Sequence, residues 1–219
     1  MAARDNPLRK SADSIQALAD TVNSENPHIK VSDVVQFCRL NYTFLFYLGI
    51  AIKFTDLELQ TKVDNLVEIT MKYDTIQTLV ETEIKNGFAK DNSSHCRNLV
   101  RLKRIINLVR EVMERILEHG WRKSLVEIFV VAYEQVFAPY HGWNSSDGFI
   151  LSIGLSVKDV IAALERLPSN DLILQLLNED EESAKEPIQK YITAAKAVLQ
   201  YVDNLFLSSE TGAELLRLI

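Results

Sequence analysis

Between Ser94 and Gly120 the chain carries one uninterrupted helical pattern, and no other stretch leaves it less choice of fold. Ile105, Leu108, Val109, Val112, Ile116 and Leu117 recur at helical spacing behind His95-Cys96-Arg97-Asn98-Leu99-Val100-Arg101-Leu102-Lys103-Arg104. Ser93 and Ser94 stand before it as N-cap candidates, because a hydroxyl there accepts from a free N–H of the first turn. His119-Gly120 supplies the stop. Arg97 and Arg101 are four apart, so they stack on one face, which Arg104, Leu108 and Val112 continue. A basic end therefore grades into an apolar stripe. Two arginines so placed grip a phosphate or carboxylate with a fork that lysine does not supply. Taken alone, the pattern is better explained as a solvated face whose arginines pair with nearby acids.

The rest of the chain is also helical in pattern. Asn6-Pro7 opens a first amphipathic helix through Ile15, Leu18 and Val22, ended by the segment from Asn23 to Pro27. Ser32-Asp33 caps a second, running through Phe37, Cys38, Phe44, Leu48 and Ile52, and apolar nearly all round, which predicts a central position. Thr55 caps a third, through Val63, Leu66 and Ile69, with a break near Tyr73-Asp74-Thr75 before it continues to Lys85-Asn86-Gly87. Beyond the arginine helix a further one is expected from Trp121 to Phe137, stopped by Pro139. Pro168-Ser169-Asn170-Asp171 starts another, and the last long one runs from about Ser183 to Phe206, with Pro187 near its first turn. No alternating strand pattern is present and glycine is scarce, 7 residues in 219. The fold class is all-α.

Composition narrows the function. At 219 residues the chain has room for one domain with a sizeable core, or at most a domain and a small appendage. A net charge of -6 argues against a nucleic-acid binder and makes the basic cluster a local feature. Cys38 and Cys96 have no metal-type spacing and read as free thiols of a reducing compartment. The N-terminus has no apolar run, so no signal peptide is expected, and the apolar stretch from Phe44 to Phe54 is interrupted by Gly49 and Lys53, too short to span a bilayer. A cytoplasmic location follows as the expectation.

Catalytic signatures are poor. No glycine-rich phosphate loop, His-Glu-x-x-His or Gly-x-Ser-x-Gly occurs, and His28, His95, His119 and His141 make no metal spacing. Neither a cofactor nor a metal is expected, and an enzyme acting on phospholipid is disfavoured for want of a nucleophile–base pair. Three polar clusters remain: Glu58 with Lys62, Arg97 with Arg101, and Tyr140-His141-Gly142-Trp143. Each has a plainer explanation. The first fits a surface ion pair contributing a few tenths of a kcal/mol. The third fits a buried histidine with a core tryptophan, and His-Gly-Trp also occurs at 119–121.

Longer motifs alter that balance. Lys62-Val63-Asp64-Asn65-Leu66-Val67, the segment from Ser94 to Arg104, the segment from Ala132 to Trp143 and Tyr201-Val202-Asp203-Asn204-Leu205-Phe206-Leu207-Ser208 resemble, in this order, the glycolipid transfer protein family. Within it they are most similar to the ceramide-1-phosphate branch, of the plant accelerated-cell-death type. The resemblance implies a single domain over residues 1–219, a two-layer sandwich of about eight helices around an apolar lipid sleeve, and no enzymatic activity. It places Lys62, Arg97 and Arg101 on the phosphate headgroup and His141 on the ceramide amide carbonyl. The glycolipid branch carries a tryptophan where this chain has Arg101, which favours a phosphate over a sugar. Glu58 stands where the family has an aspartate that accepts from the ceramide amide N–H and hydroxyl. The segment from Asn144 to Gly154 is longer than usual for the family. Val63, Leu66, Leu102, Ile105, Val109, Val136 and Phe137, with Phe44, Leu48 and Ile52, are sleeve candidates, and Trp143 is placed to dock on a membrane, since an indole prefers the half-wet interface. The expected partners are ceramide-1-phosphate or a related phospholipid and, transiently, a membrane surface, with the protein a monomer. The alternative is a lipid sensor or scaffold that binds phospholipid without efficient transfer.

Overall fold

The computed structural model of the chain describes residues 6–47, 63–137 and 169–218. Among the described residues regular structure is helical, apart from one isolated bridge between Lys30 and Thr75. Helix α1 spans Pro7–Val22: the Asn6 side chain accepts from the Arg9 N–H at 2.9 Å, Pro7 supplies the preset first residue, and Leu8, Ala12, Ile15 and Ala19 bury one stripe. Helix α2 spans Val31–Tyr47, starting just before the expected Ser32-Asp33. The reason is tertiary. Val31 N–H donates to the Asp74 carbonyl at 2.9 Å and Ile76 N–H to the Ile29 carbonyl at 3.0 Å, so the neighbouring chain fixes where α2 begins. The same contact uses the break expected near Tyr73–Thr75: residues 63–69 are helical, and after it Thr75 caps α3, Ile76–Lys85.

Helix α4, His95–His119, is 25 residues long, about 37 Å at the α-helical rise. Ser94 caps its start and Gly120 ends it with φ 65° and ψ -175°, a backbone region only glycine enters without strain. A single 3-10 turn, Gly120–Arg122, follows, and α5 runs over Leu125–Phe137, four residues later than expected from Trp121. Gly120 breaks the chain direction, so the new helix waits for a fresh cap, Ser124, whose hydroxyl accepts from the Glu127 N–H at 3.2 Å. The Asn170 amide then ties the connection by donating to the Trp121 and Lys123 carbonyls. Helix α6, Asn170–Leu177, is capped by Ser169, and α7 spans Lys185–Leu207 with Pro187 in its first turn, where a missing N–H costs nothing. The sequence pattern had not predicted α8, Glu210–Leu218.

Helix α7 packs against α1 and α4 and also touches α3 and α8, while α1 packs on α2 and α4 on α5. Tyr191 and Phe206 of α7 are fully buried among Leu8 and Ile15 of α1, Phe37 of α2 and Met113 of α4 in one contiguous core. A buried polar link sets their register. Ser11 Oγ donates to Asn41 Oδ1 at 2.9 Å and the Tyr191 hydroxyl to the same oxygen at 3.2 Å. Two donors on one acceptor join α1, α2 and α7 without leaving these groups unsatisfied. Gly212 lets α8 lie directly on the end of α7: a Cβ there would meet the Phe206 carbonyl oxygen at 2.1 Å.

Candidate functional site

The arginine end of α4 is built from its N-terminus. A helix start leaves four backbone N–H groups without intrahelical partners. Here each is accounted for. Ser94 N–H donates to the Asp91 carbonyl at 3.0 Å. His95 N–H donates to Glu83 Oε1 at 3.3 Å, Cys96 N–H to Glu83 Oε2 at 3.0 Å, and Arg97 N–H to Ser94 Oγ at 3.2 Å. Ser94 Oγ in turn donates to Glu83 Oε2 at 2.9 Å, and His95 Nδ1 meets Oε1 at 2.6 Å. A carboxylate only accepts, so His95 carries its proton on Nδ1. Glu83, on α3, is 5% exposed. Burial alone pushes its carboxyl upward, but the hydrogen bonds from Cys96, His95 and Ser94 outweigh that and hold it below the usual carboxylate range. A buried anion thus sits at the positive end of the α4 dipole.

With the backbone donors consumed, the donors left at this end of α4 are side chains. Arg97 and Arg101 are both half-buried, one turn apart on α4. Arg97 Nη1 reaches back to the Lys90 carbonyl at 3.3 Å, and its Nε is buried with no hydrogen-bond partner among the described residues. Arg104, further down the same face and 5% exposed, donates Nη2 to the Leu216 carbonyl of α8 at 3.0 Å. Lys90, whose carbonyl holds Arg97, pairs through its ammonium with Glu214 of α8. Lys103 leaves the cluster: it pairs with Asp203 of α7. The sequence pattern had grouped these cations, and the helical period divides them.

Glu58, Lys62, His141 and Trp143 lie outside the described residues, as do the sleeve candidates Leu48 and Ile52. Val63, Leu66, Leu102, Val109, Val136 and Phe137 are buried in the core, and Ile105 is half-buried against it. Leu99, Leu102, Lys103 and Ile106 of α4, with Phe37 and Val202 opposite, line a small apolar cavity of about 20 Å³. That is room for roughly one water molecule, not an acyl chain. Leu99, Lys103 and Ile106 stand two residues beyond Arg97, Arg101 and Arg104, about 200° round the helix, so this cavity is on the opposite face of α4 from the arginines.

Two groups of this region escape sequence reasoning. Glu83 occupies the buried stripe of α3 with Ile76, Leu79 and Val80, and a carboxylate in phase with an apolar stripe is the signal that exposes it. The α8 contacts depend on a helix that lies beyond the last one expected from the sequence pattern. Among the described residues no cluster of histidine, cysteine and acidic side chains is disposed to hold a metal, and no helix is long and apolar enough to cross a membrane. Both thiols are free and buried; burial pushes Cys38 up to about 12, and Cys96 is raised further by burial and the Glu83 charge. Neither is a nucleophile at neutral pH.

Residues 29–179 match the family described as Glycolipid transfer protein (GLTP). The chain is 34% identical over 210 residues to Accelerated cell death 11 of Arabidopsis thaliana, covering 96% of this chain and 97% of that protein. A crystal structure of an aspartate-to-alanine mutant of the Arabidopsis accelerated-cell-death 11 protein, complexed with ceramide-1-phosphate, matches with a TM-score of 0.83 and 35% identity over 95% of this chain and 98% of the other. Human ceramide-1-phosphate transfer protein, in complex with ceramide-1-phosphate, matches with a TM-score of 0.75 over 94% of this chain and 97% of that one. Its identity is 16%, so that likeness is one of fold.

Proposed function

The chain belongs to the glycolipid transfer protein family and has its all-α, two-layer fold, and we propose that it is a carrier which binds ceramide-1-phosphate and moves it between membranes. The transfer is a relocation, in which no bond forms or breaks. Burying an acyl chain yields about 0.8 kcal/mol per CH₂ whether the host is a bilayer or a protein sleeve. The apolar part of the lipid therefore contributes little to choice, and selectivity rests on the polar end. The observation that carries the reading is Arg97 Nε, a buried charged donor without a partner among the described residues, on the same helix face as Arg101. A buried donor of this kind costs free energy until an acceptor arrives, and a phosphate offers several charged acceptors at once. The relative complexed with ceramide-1-phosphate, 35% identical over nearly the whole chain, supports the same ligand here.

In this reading Lys62 joins Arg97 and Arg101 on the phosphate, His141 donates to the amide carbonyl, and Glu58 accepts from the amide N–H. Trp143 enters the membrane interface while the headgroup changes hosts. Residues 1–219 act as one domain and one monomer, in the cytoplasm and in transient contact with membranes, with no cofactor. The test is movement of labelled ceramide-1-phosphate between donor and acceptor vesicles, beside a glucosylceramide of the same chains. Faster movement of the phosphate lipid is expected. Equal movement of the sugar lipid overturns the headgroup assignment, and binding of ceramide-1-phosphate without movement makes the protein a sensor instead.

A further inference from the structure

The phosphate site proposed above accounts for the guanidinium of Arg97 but not for what holds its backbone. The two oxygens of Glu83 accept from four donors: the Ser94 hydroxyl, the N–H groups of His95 and Cys96, and the His95 ring. A serine N-cap by itself satisfies a helix start at far lower desolvation cost than a buried carboxylate. The acid is therefore more than a cap. Ser94 Oγ is shared. It donates to Glu83 and accepts from the Arg97 N–H, so a continuous run of hydrogen bonds leads from the α3 carboxylate to the Arg97 backbone. The loop between the helices is folded onto the same centre: Phe88 N–H donates to the Glu83 carbonyl at 3.0 Å, and Lys90, two residues on, offers its carbonyl to Arg97 Nη1. Both ends of Arg97, main chain and guanidinium, are thus referred to Glu83.

We infer that Glu83 is a positioning residue for phosphate recognition, acting through Ser94 to fix the main chain from which Arg97 reaches the headgroup. The inference rests on the reading of Arg97 as a phosphate ligand. Glu83 does not touch the lipid; it sets the origin and direction of a side chain that does. Arginine binds a phosphate through a planar fork, so a small tilt at its root moves the fork out of register, whereas a lysine would follow by rotation. Glutamine at 83 keeps the volume but turns one acceptor into an N–H₂ group facing donors, so the first turn of α4 must shift.

The experiment measures equilibrium binding of ceramide-1-phosphate and of ceramide with the same chains, using the full chain as wild type, Glu83→Gln, Ser94→Ala, Ser94→Thr and Arg97→Ala. Glu83→Gln and Ser94→Ala are expected to weaken ceramide-1-phosphate binding about three- to tenfold each, and their combination by less than the product of the two. Ceramide binding stays within twofold, and Ser94→Thr, which keeps the hydroxyl, restores phosphate binding. Equal loss for both lipids, or unchanged or tighter ceramide-1-phosphate binding by Glu83→Gln, overturns the inference, since the acid then only holds the helix. If Glu83→Gln does not fold, the Ser94→Ala and Ser94→Thr pair decides alone: no phosphate-specific loss restored by threonine sinks the idea. Arg97→Ala separates the two claims. Wild-type affinity there refutes the site itself, while loss in Arg97→Ala without loss in the other variants refutes only the role of Glu83.

Discussion

Replacing Arg97 by alanine should leave stability nearly unchanged and weaken binding, and both magnitudes follow from its contacts. Among the described residues the Arg97 side chain makes one long hydrogen bond, Nη1 to the Lys90 carbonyl at 3.3 Å, which contributes about 1 kcal/mol at most. Against it stands the buried Nε without a partner among the described residues, a desolvation cost of about 1–3 kcal/mol. The two nearly cancel, so the alanine variant should unfold within about 1 kcal/mol of wild type, and on the stable side if the buried donor dominates. Binding should fall. Loss of a charge-assisted contact to phosphate costs about 1.5–3 kcal/mol, a factor of roughly ten to a hundred in affinity. Arg97→Lys keeps the charge without the fork and should fall between. Thermal unfolding with and without ceramide-1-phosphate reads both quantities, because a ligand raises the midpoint in proportion to the logarithm of its affinity. The free proteins should melt together while the lipid-induced rise shrinks in the variant. If the unliganded variant loses more than about 2 kcal/mol, the desolvated Nε is not the cost argued here. If the lipid-induced rise is unchanged, Arg97 does not read the phosphate.

Three other perturbations follow. Glu83 has its carboxyl held below the ordinary value, so its contribution to stability is complete above about pH 4.3, the unfolded value, and is lost as pH falls toward the lower folded one. Melting curves of wild type and Glu83→Gln between pH 7 and pH 3 should therefore converge on acidification, and a gap independent of pH would refute the assignment. Gly212→Ala forces a Cβ to within 2.1 Å of the Phe206 carbonyl oxygen and should cost about 1–3 kcal/mol in chemical denaturation, with faster hydrogen exchange in 210–218. Glu179→Ala removes the acceptor of Arg9 Nε at 2.6 Å and of Asn6 Nδ2 at 2.7 Å; because Arg9 is 43% exposed, the cost in the same assay should be only about 1 kcal/mol, and a loss beyond about 2 kcal/mol would show that the pair is not screened.

What was legible in the sequence divides along a physical line. Ser94 and Gly120 mark the limits of α4 because a cap and a positive φ are properties of a few adjacent residues. The starts of α2 and α5 depend on partners distant in sequence, Asp74 for Val31 and Asn170 for the Trp121–Lys123 turn, so local signals place them less well. Gly212 illustrates how a correct local rule misleads. Glycine weakens a helix interior in general, yet it stands in α8 because the chain passes against Phe206 with no room for a side chain. Glu83 was missed for a related reason: an acid on an amphipathic helix reads as surface charge until the donors that gather round it are seen. Arg97 and Arg101 share one face because a spacing of four puts them there whatever surrounds the helix, and it is the ordered family motifs that propose a phosphate for that face.

The separation of the cations along α4 bears on how this face would recognise the proposed phosphate. Lys103 is neutralised by Asp203 and Arg104 is buried against the Leu216 carbonyl, so both are committed to the fold. Arg97 is held at its backbone by the run from Glu83 through Ser94 and at one guanidinium nitrogen by Lys90, while its Nε remains buried and partnerless among the described residues. Committed cations are poor ligands, since an incoming phosphate must first break their existing contacts. An unrestrained surface arginine is poor too, because its rotamer entropy is lost on binding. Arg97 falls between these limits: its main chain and one guanidinium nitrogen are already held by the fold, while its Nε would gain from an anion. In the proposed site the cost of that unsatisfied N–H would be recovered when a phosphate binds and would return when it leaves. Such coupling would give the headgroup its influence over a lipid whose chains are nearly indifferent to whether protein or bilayer surrounds them.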